Sequence, residues 1–156
     1  MLYPKEYGDD PWFPQAKDFK VVDKNGIEGK GIFCYKSFKK GELLAKIHGE
    51  VTQEITQHTL QIDETNHLLD LYFVGYLLHS CNPNVIVDMK NRTVRALRQI
   101  KANSFLYMDY ASTEDVLYKQ FHCSCGSANC RGLILGRKEM PLTNETLSSL
   151  KKLSGP

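Results

Sequence analysis

The sequence has no apolar run approaching the roughly twenty residues of a membrane span, so no segment is expected to cross a bilayer. It lacks an excess of either charge: 20 Lys and Arg stand against 18 Asp and Glu, for a net charge of +2. These charges are scattered, without the basic stripe or aromatic-basic repeat that would follow a phosphate backbone, which argues against nucleic acid as a direct partner. The opening residues Met1-Leu2-Tyr3-Pro4-Lys5-Glu6 show no basic stretch followed by an apolar one. A secretory leader is therefore not expected, and a reducing intracellular setting is: the cytoplasm if the source is bacterial, with the nucleus open if it is eukaryotic. Internal repeats, low-complexity segments and linkers are missing as well. A chain of 156 residues, 42% hydrophobic and 24% charged, suits one monomeric domain around one core.

Cysteine is scarce but placed. Three of the five cysteines form Cys123-Ser-Cys125-Gly-Ser-Ala-Asn-Cys130, and a fourth lies far upstream in His79-Ser-Cys81-Asn-Pro-Asn84. A structural zinc site takes four soft ligands in a tetrahedron, and a C-x-C-x4-C loop supplies three, which leaves Cys81 as the fourth. A full thiolate shell leaves no open position for a reactive water, so such a zinc is architectural. Disulfides or idle thiols are the alternative. In a reducing compartment clustered cysteines more often bind metal, and five cysteines cannot all pair. Cys34, within the apolar stretch Gly31-Ile32-Phe33-Cys34-Tyr35, reads as a buried inert thiol.

The pattern along the chain predicts a mostly β fold. Phe19 to Val22 runs into Asp23-Lys24-Asn25-Gly26, where Asn-Gly signals a tight turn. Short apolar runs follow at Ile32 to Tyr35 and Glu42 to Ile47, separated by glycines. Thr59 to Ile62 alternates like a half-buried strand, and Asn84 to Asp88 and Thr93 to Leu97 flank the polar turn Met89 to Arg92. Asn66 to Leu78 is too densely apolar for periodicity to decide. Leu147, Leu150 and Leu153, with Thr143 as a cap, predict a short amphipathic C-terminal helix.

Four ordered motifs, Gly29-Lys30-Gly31, then His79 to Asn84, then Tyr107-Met108-Asp109-Tyr110, then the cysteine loop ending Cys130-Arg131-Gly132, resemble SET-domain protein lysine methyltransferases with a post-SET zinc loop. The resemblance runs from about Phe19 to about Ile134, and the short format is similar to small stand-alone members. It implies a SET fold of small curved sheets with a threaded, pseudoknotted core. On this basis residues 1–18 form an N-terminal extension packing on the domain, 19–118 the SET domain, 119–136 the post-SET zinc loop and 137–156 a tail with the helix. The implied activity is methyl transfer from S-adenosylmethionine to the side-chain amine of a lysine in a protein substrate. Carried over by motif, Gly29, Lys30, Gly31, Leu78, His79 and Leu133 are the implied cofactor contacts, and Tyr110 the implied catalytic residue. Met108 and His58 are the implied lysine-channel residues, and Cys81, Cys123, Cys125 and Cys130 the implied zinc ligands.

The chemistry needs little beyond position. An amine with an unperturbed pKa of about 10.4 must lose a proton before attack. An apolar channel lowers that pKa, and orientation against the methyl sulfonium supplies much of the rate. Three positions depart from the family pattern. Leu78 stands where the family has an asparagine that bonds the cofactor, Gly75 where it has an arginine, and Met108 where it has the aromatic residue that tunes methyl number. Leu78 motivates a second reading, a SET-derived binding module without transfer. The brevity of the Glu50 to Asn66 region motivates a third, transfer to a small molecule.

Overall fold

The computed structural model describes residues 1–142. Thirteen short strands follow one another: β1 (Phe19–Asp23), β2 (Lys30–Cys34), β3 (Leu43–Lys46), β4 (Glu50–Thr52), β5 (Thr59–Gln61), β6 (His67–Leu69) and β7 (Leu78–His79), then β8 (Val85–Asp88), β9 (Thr93–Ala96), β10 (Ser104–Phe105), β11 (Tyr107–Met108), β12 (Phe121–His122) and β13 (Leu133–Ile134). They form three three-stranded sheets, β1-β2-β10, β3-β9-β8 and β4-β6-β5, and two pairs, β7-β11 and β12-β13. The only helical turns among the described residues are 3-10 turns at Lys5–Tyr7, Val74–Tyr76 and Tyr110–Ser112. The architecture is the mostly β one expected. The C-terminal helix expected from Leu142 to Leu153 falls on residues from 143 on, outside the described ones.

Local sequence explains most strands. β8 and β9 pair antiparallel across the Met89 to Arg92 turn, with Val85 opposite Ala96 and Val87 opposite Val94, so alternate side chains enter the core. The turn expected at Asn25-Gly26 joins antiparallel β1 and β2: Asp23 pairs with Lys30, and the loop between them is held by Asp23 and Asn25 side-chain oxygens accepting the Gly26, Ile27 and Glu28 N–H groups. One reading needs revision. β5 is buried along all three residues rather than alternately. Its polar Gln61 tolerates this because its amide donates to Asp115 Oδ2 at 2.8 Å and accepts the Asp115 N–H at 2.7 Å.

Two links position the site. The N-terminal extension enters the core through Tyr3, whose hydroxyl donates to the fully buried Asp70 at 2.7 Å. Asp70 also accepts the N–H groups of Tyr72, Phe73 and Val74, which sets the turn leading to β7. The second link is the parallel pair of β7 with β11, Leu78 opposite Tyr107 and His79 opposite Met108. Asn84 braces it: its backbone N–H donates to the Tyr107 carbonyl, its amide donates to the Phe105 carbonyl, and its side-chain oxygen accepts the Tyr107 N–H. Strands β8, β9 and β10 lie between these partners in sequence, so the β7 segment is held beside a strand formed 29 residues later by pairing rather than by proximity.

Candidate functional site

Parallel pairing of β7 and β11 carries His79 and Tyr110 to one place. Their rings sit 5.1 Å apart, edge to face, and Phe121 of β12 packs against both at 5.6 and 5.9 Å. The Tyr110 N–H donates to His79 Nδ1 at 3.2 Å, so that nitrogen carries no proton, and burial pushes the imidazole down to about 4. The Tyr110 hydroxyl donates to the Leu77 carbonyl at 2.7 Å. Burial and the nearby Glu114 carboxyl raise the phenol above its ordinary value, so it holds its proton at neutral pH. Asp109 caps the turn beginning at Tyr110 by accepting the Ala111 N–H, and its carboxylate takes Arg131 in a two-toothed ion pair at 2.6 and 3.0 Å. That pair ties the turn carrying Tyr110 to the cysteine loop.

Two cavities meet at Tyr110. One, of about 370 Å³, is lined by Gly29, Lys30, His58, Gly75, Leu78 and Tyr110, with neighbours. The other, of about 380 Å³, is lined by Met108, Tyr110, Leu117 and Phe121, with Thr113 and Glu114 among its polar residues. Leu77 and Gly75 belong to both walls. Gly29 has φ +80°, and a Cβ built there would meet nothing within 4 Å, so the first cavity is open above it. Gly31 differs: Leu78 Cδ1 lies 2.6 Å from where its Cβ would be, so the Leu78 side chain covers it. His58 is half-buried, with Nδ1 3.0 Å from the Gly75 carbonyl and its ring 4.6 Å from that of Tyr76. His79 also lines a third recess beside Lys24, Arg98, Tyr107 and the Ser124 to Ser127 loop. Gly31 and Leu133 line none of these recesses; Leu133 pairs with His122 in the β12-β13 hairpin.

The four sulfurs of Cys81, Cys123, Cys125 and Cys130 lie within 4.8 Å of one another. Tetrahedral Zn–S bonds of about 2.3 Å would set them about 3.8 Å apart, so the set fits such an ion with little adjustment. The surroundings suit thiolates. The Arg131 N–H points at Cys81 Sγ and the Cys125 N–H at Cys123 Sγ, each at 3.4 Å, while Ser127 Oγ is 3.0 Å from Cys125 Sγ. Hydrogen bonds from Ser127 lower Cys125 to about 5, whereas burial raises Cys81 and pushes Cys123 up to about 12. A dication at the centre would supply the charge that ionises Cys81 and Cys123. The loop is already pinned to the upstream segment, since the Asn129 amide donates to the Cys81 carbonyl at 3.0 Å. Cys34 lies apart, fully buried, its thiol donating to the Lys36 carbonyl.

Sequence motifs did not single out Phe121, Glu114 or the Asp109–Arg131 pair. The position of Phe121 two residues before Cys123 was an available signal, because an aromatic beside a metal loop covers whatever the loop packs on. Glu114 offered none.

A family model described as SET domain matches residues 29–111, more than half of the chain. Histone-lysine N-methyltransferase trithorax of Drosophila virilis is 30% identical over 140 residues, which take in 74% of this chain and 4% of that protein. Methyltransferase flvH of Aspergillus flavus is 40% identical over 67 residues, 42% of this chain and 38% of its own length. The chain thus spans a minor part of the curated relatives it matches. A crystal structure of KRYPTONITE in complex with mCHH DNA, H3(1-15) peptide and SAH superposes with a TM-score of 0.57 at 23% identity, covering 74% of this chain and 29% of that one. With the mostly β fold, the paired β7 and β11 and the four-cysteine cluster in place, the chain belongs to the SET domain family.

Proposed function

We propose that the chain moves the methyl group of S-adenosylmethionine to the side-chain amine of a lysine in a protein substrate. The observation that carries this reading is the meeting of two cavities at one tyrosine, one bearing the glycine loop and the other bearing Met108. A transfer between two bound molecules needs two entrances and one shared point. The names of the relatives support it, since trithorax is a histone-lysine methyltransferase and the KRYPTONITE complex holds SAH beside a peptide. The bound DNA in that structure belongs to a chain only 23% identical and is not carried over.

When bound, S-adenosylmethionine supplies an activated methyl on a sulfonium. The open face of Gly29, the Lys30 backbone and the wall formed by Leu78 receive the cofactor's amino-acid end, with His79 on the neighbouring recess as a further contact. Leu133, expected as another, lies in the β12-β13 hairpin and lines neither. Tyr110, holding its proton and already donating to the Leu77 carbonyl, orients the acceptor nitrogen through its oxygen lone pairs. Met108 shapes the approach of the lysine, whereas His58, expected beside it, lines the cavity of the glycine loop. Met108 carries no hydroxyl to hold a water beside the amine, which leaves room for more than one methyl group. Zinc on the four cysteines holds the loop that completes this wall, and ionised thiols imply a reducing, intracellular setting. The protein is proposed to act as a monomer, with no nucleic acid or membrane as direct partner. No helix among the described residues is long and apolar enough to cross a membrane.

The test is incubation with methyl-labelled S-adenosylmethionine and a mixed protein extract, followed by hydrolysis and amino-acid separation. Label in methyl-lysine is expected. Label released only in a small product would move the substrate to another class, and no transfer despite cofactor binding would leave a binding module.

A further inference from the structure

Glu114 is buried, only 7% exposed, and lines the same cavity as Tyr110 and Met108. Its backbone N–H donates to the Tyr110 carbonyl at 3.0 Å, so the two residues stand at the two ends of one turn of chain. The described residues offer its carboxylate one hydrogen bond of good geometry, the Gln61 N–H at 2.8 Å. None of them forms an ion pair with it. The contrast with its neighbour is informative. Asp115, more exposed, takes both nearby cations, Arg137 at 3.0 Å and Lys138 at 3.4 Å. The Arg137 backbone N–H does reach the Glu114 carbonyl, yet its guanidinium goes to Asp115 and the Thr113 carbonyl. Thr113, beside Glu114 on the cavity wall, brings its buried hydroxyl near the Glu114 carboxyl, short of full hydrogen-bond geometry, and has no other partner among the described residues.

A buried carboxylate ordinarily has a cation, because taking it out of water costs more than one hydrogen bond returns. Here no cation among the described residues pairs with it, the Arg137 guanidinium acting on it only from a distance, and it lines a cavity that opens on Tyr110. Tyr110 cannot supply a base while its hydroxyl keeps its proton and donates to Leu77. We propose that Glu114 receives the ammonium group of the methyl acceptor and takes its proton before transfer. This rests on the proposed amine methyl transfer and names the base for it.

Burial acts on both partners in the direction required. It raises the Glu114 carboxyl and lowers a bound ammonium, so a charged pair in an apolar cavity moves towards neutral acid and neutral amine. In the first step an N–H bond breaks and a carboxyl O–H bond forms. The freed lone pair then forms the N–CH3 bond as the S–CH3 electron pair returns to sulfur, giving a methylammonium and S-adenosylhomocysteine. The carboxyl proton leaves to solvent through the cavity.

The other titratable or charged groups facing this region are Tyr110 on the same turn, Asp115 with Arg137 and Lys138, His67 opposite Gln61 in the sheet, and Glu28, Tyr118 and Lys119 on the cavity wall. All of them remain in Glu114→Gln, and the neighbour that the Glu114 charge raises, the Tyr110 phenol, already keeps its proton at neutral pH, so a difference between the two proteins there reports Glu114. The glutamine oxygen can still accept the Gln61 N–H, which preserves the fold.

The experiment measures single-turnover methyl transfer from pH 6 to 10 for both proteins, with H3(1–15) peptide and free L-lysine as acceptors, beside cofactor titration. Glu114→Gln should bind S-adenosylmethionine as the wild type does and lose about 10²- to 10⁴-fold in rate at pH 7. The deficit should shrink as pH nears the amine's own pKa of about 10.4. Thermal unfolding without cofactor gives an independent reading. The raised carboxyl favours the folded state fully below its unfolded value near pH 4.3 and loses that contribution as pH rises through its folded value. Glu114→Gln should therefore unfold above the wild type at pH 8 and match it at pH 4. A deficit equal at every pH, no deficit, or a variant less stable at pH 8 overturns the assignment while leaving methyl transfer intact. A wild type that binds cofactor but methylates neither acceptor nor any protein of an extract overturns both.

Discussion

Replacing Tyr110 with phenylalanine removes one hydroxyl and leaves the ring to fill its place against His79 and Phe121. The loss divides into two parts. The Leu77 carbonyl, which accepts that hydroxyl at 2.7 Å, is left without its donor in a buried setting, at a cost of about 1–3 kcal/mol. For a chain of this size each kcal/mol moves the melting temperature by about 2–4 °C, so a fall of about 2–12 °C is expected. The second part is catalytic. An oxygen that orients acceptor and methyl group acts on the transition state more than on the bound ground state, and misplacing reacting groups costs about two orders of magnitude or more. Tyr110→Phe should therefore lose at least about 100-fold in single-turnover rate, some 2.7 kcal/mol of barrier, while S-adenosylmethionine affinity stays within a few fold. Differential scanning calorimetry, cofactor titration and rapid-quench transfer read the three quantities separately. Near wild-type transfer would falsify the orienting role. A variant that melts as expected but fails to bind cofactor would move Tyr110 from catalysis to the wall of the pocket.

The remaining predictions concern the groups that frame the site. Cys81→Ala should lose bound zinc by elemental analysis and expose residues after Cys123 to proteolysis, and full zinc occupancy in the variant would remove Cys81 from the ligand set. Chelation of the wild type should weaken cofactor binding along with the same loosening. Leu78→Asn should tighten S-adenosylmethionine by about fivefold for each hydrogen bond regained, as read by calorimetric titration. Equal or weaker binding would mean that the contact of Leu78 with Gly31 is a rebuilt wall rather than a lost polar one. Gly75→Ala should lower the melting temperature by several degrees, because its new methyl would overlap the Asp70 carbonyl and crowd the His58 carbonyl at 2.8 Å. An unchanged melt would show that this backbone crossing is looser than drawn.

Residue types and spacing were enough to determine the short strands of the first half and the three cysteines of the C-terminal loop, because each depends on a local pattern. The family was legible through the resemblance of four ordered motifs, and Cys81 follows as the fourth ligand because a zinc site needs one more thiolate. A strand is marked by period and a turn by glycine, and a thiolate site by which residues can ligate. The pairing of His79 with Tyr110 was legible only through the resemblance, since nothing in either segment alone says that β7 lies beside β11. Tertiary structure decided the rest. Thr59 to Gln61 looks half-buried in sequence and is wholly buried, because Asp115, distant along the chain, satisfies the Gln61 amide. Gly31 looks like cofactor backbone and is covered by the Leu78 side chain, while Gly29 remains open. Glu114 reads as one acid among eighteen acidic residues, and that none of the described residues pairs with it emerges only once Arg137 and Lys138 are seen to spend their charge on Asp115. Sequence patterns report what a residue can do with its near neighbours, but burial and charge pairing are properties of the whole packed chain, so the burial of the Glu114 carboxyl at the cavity was decided only by the fold.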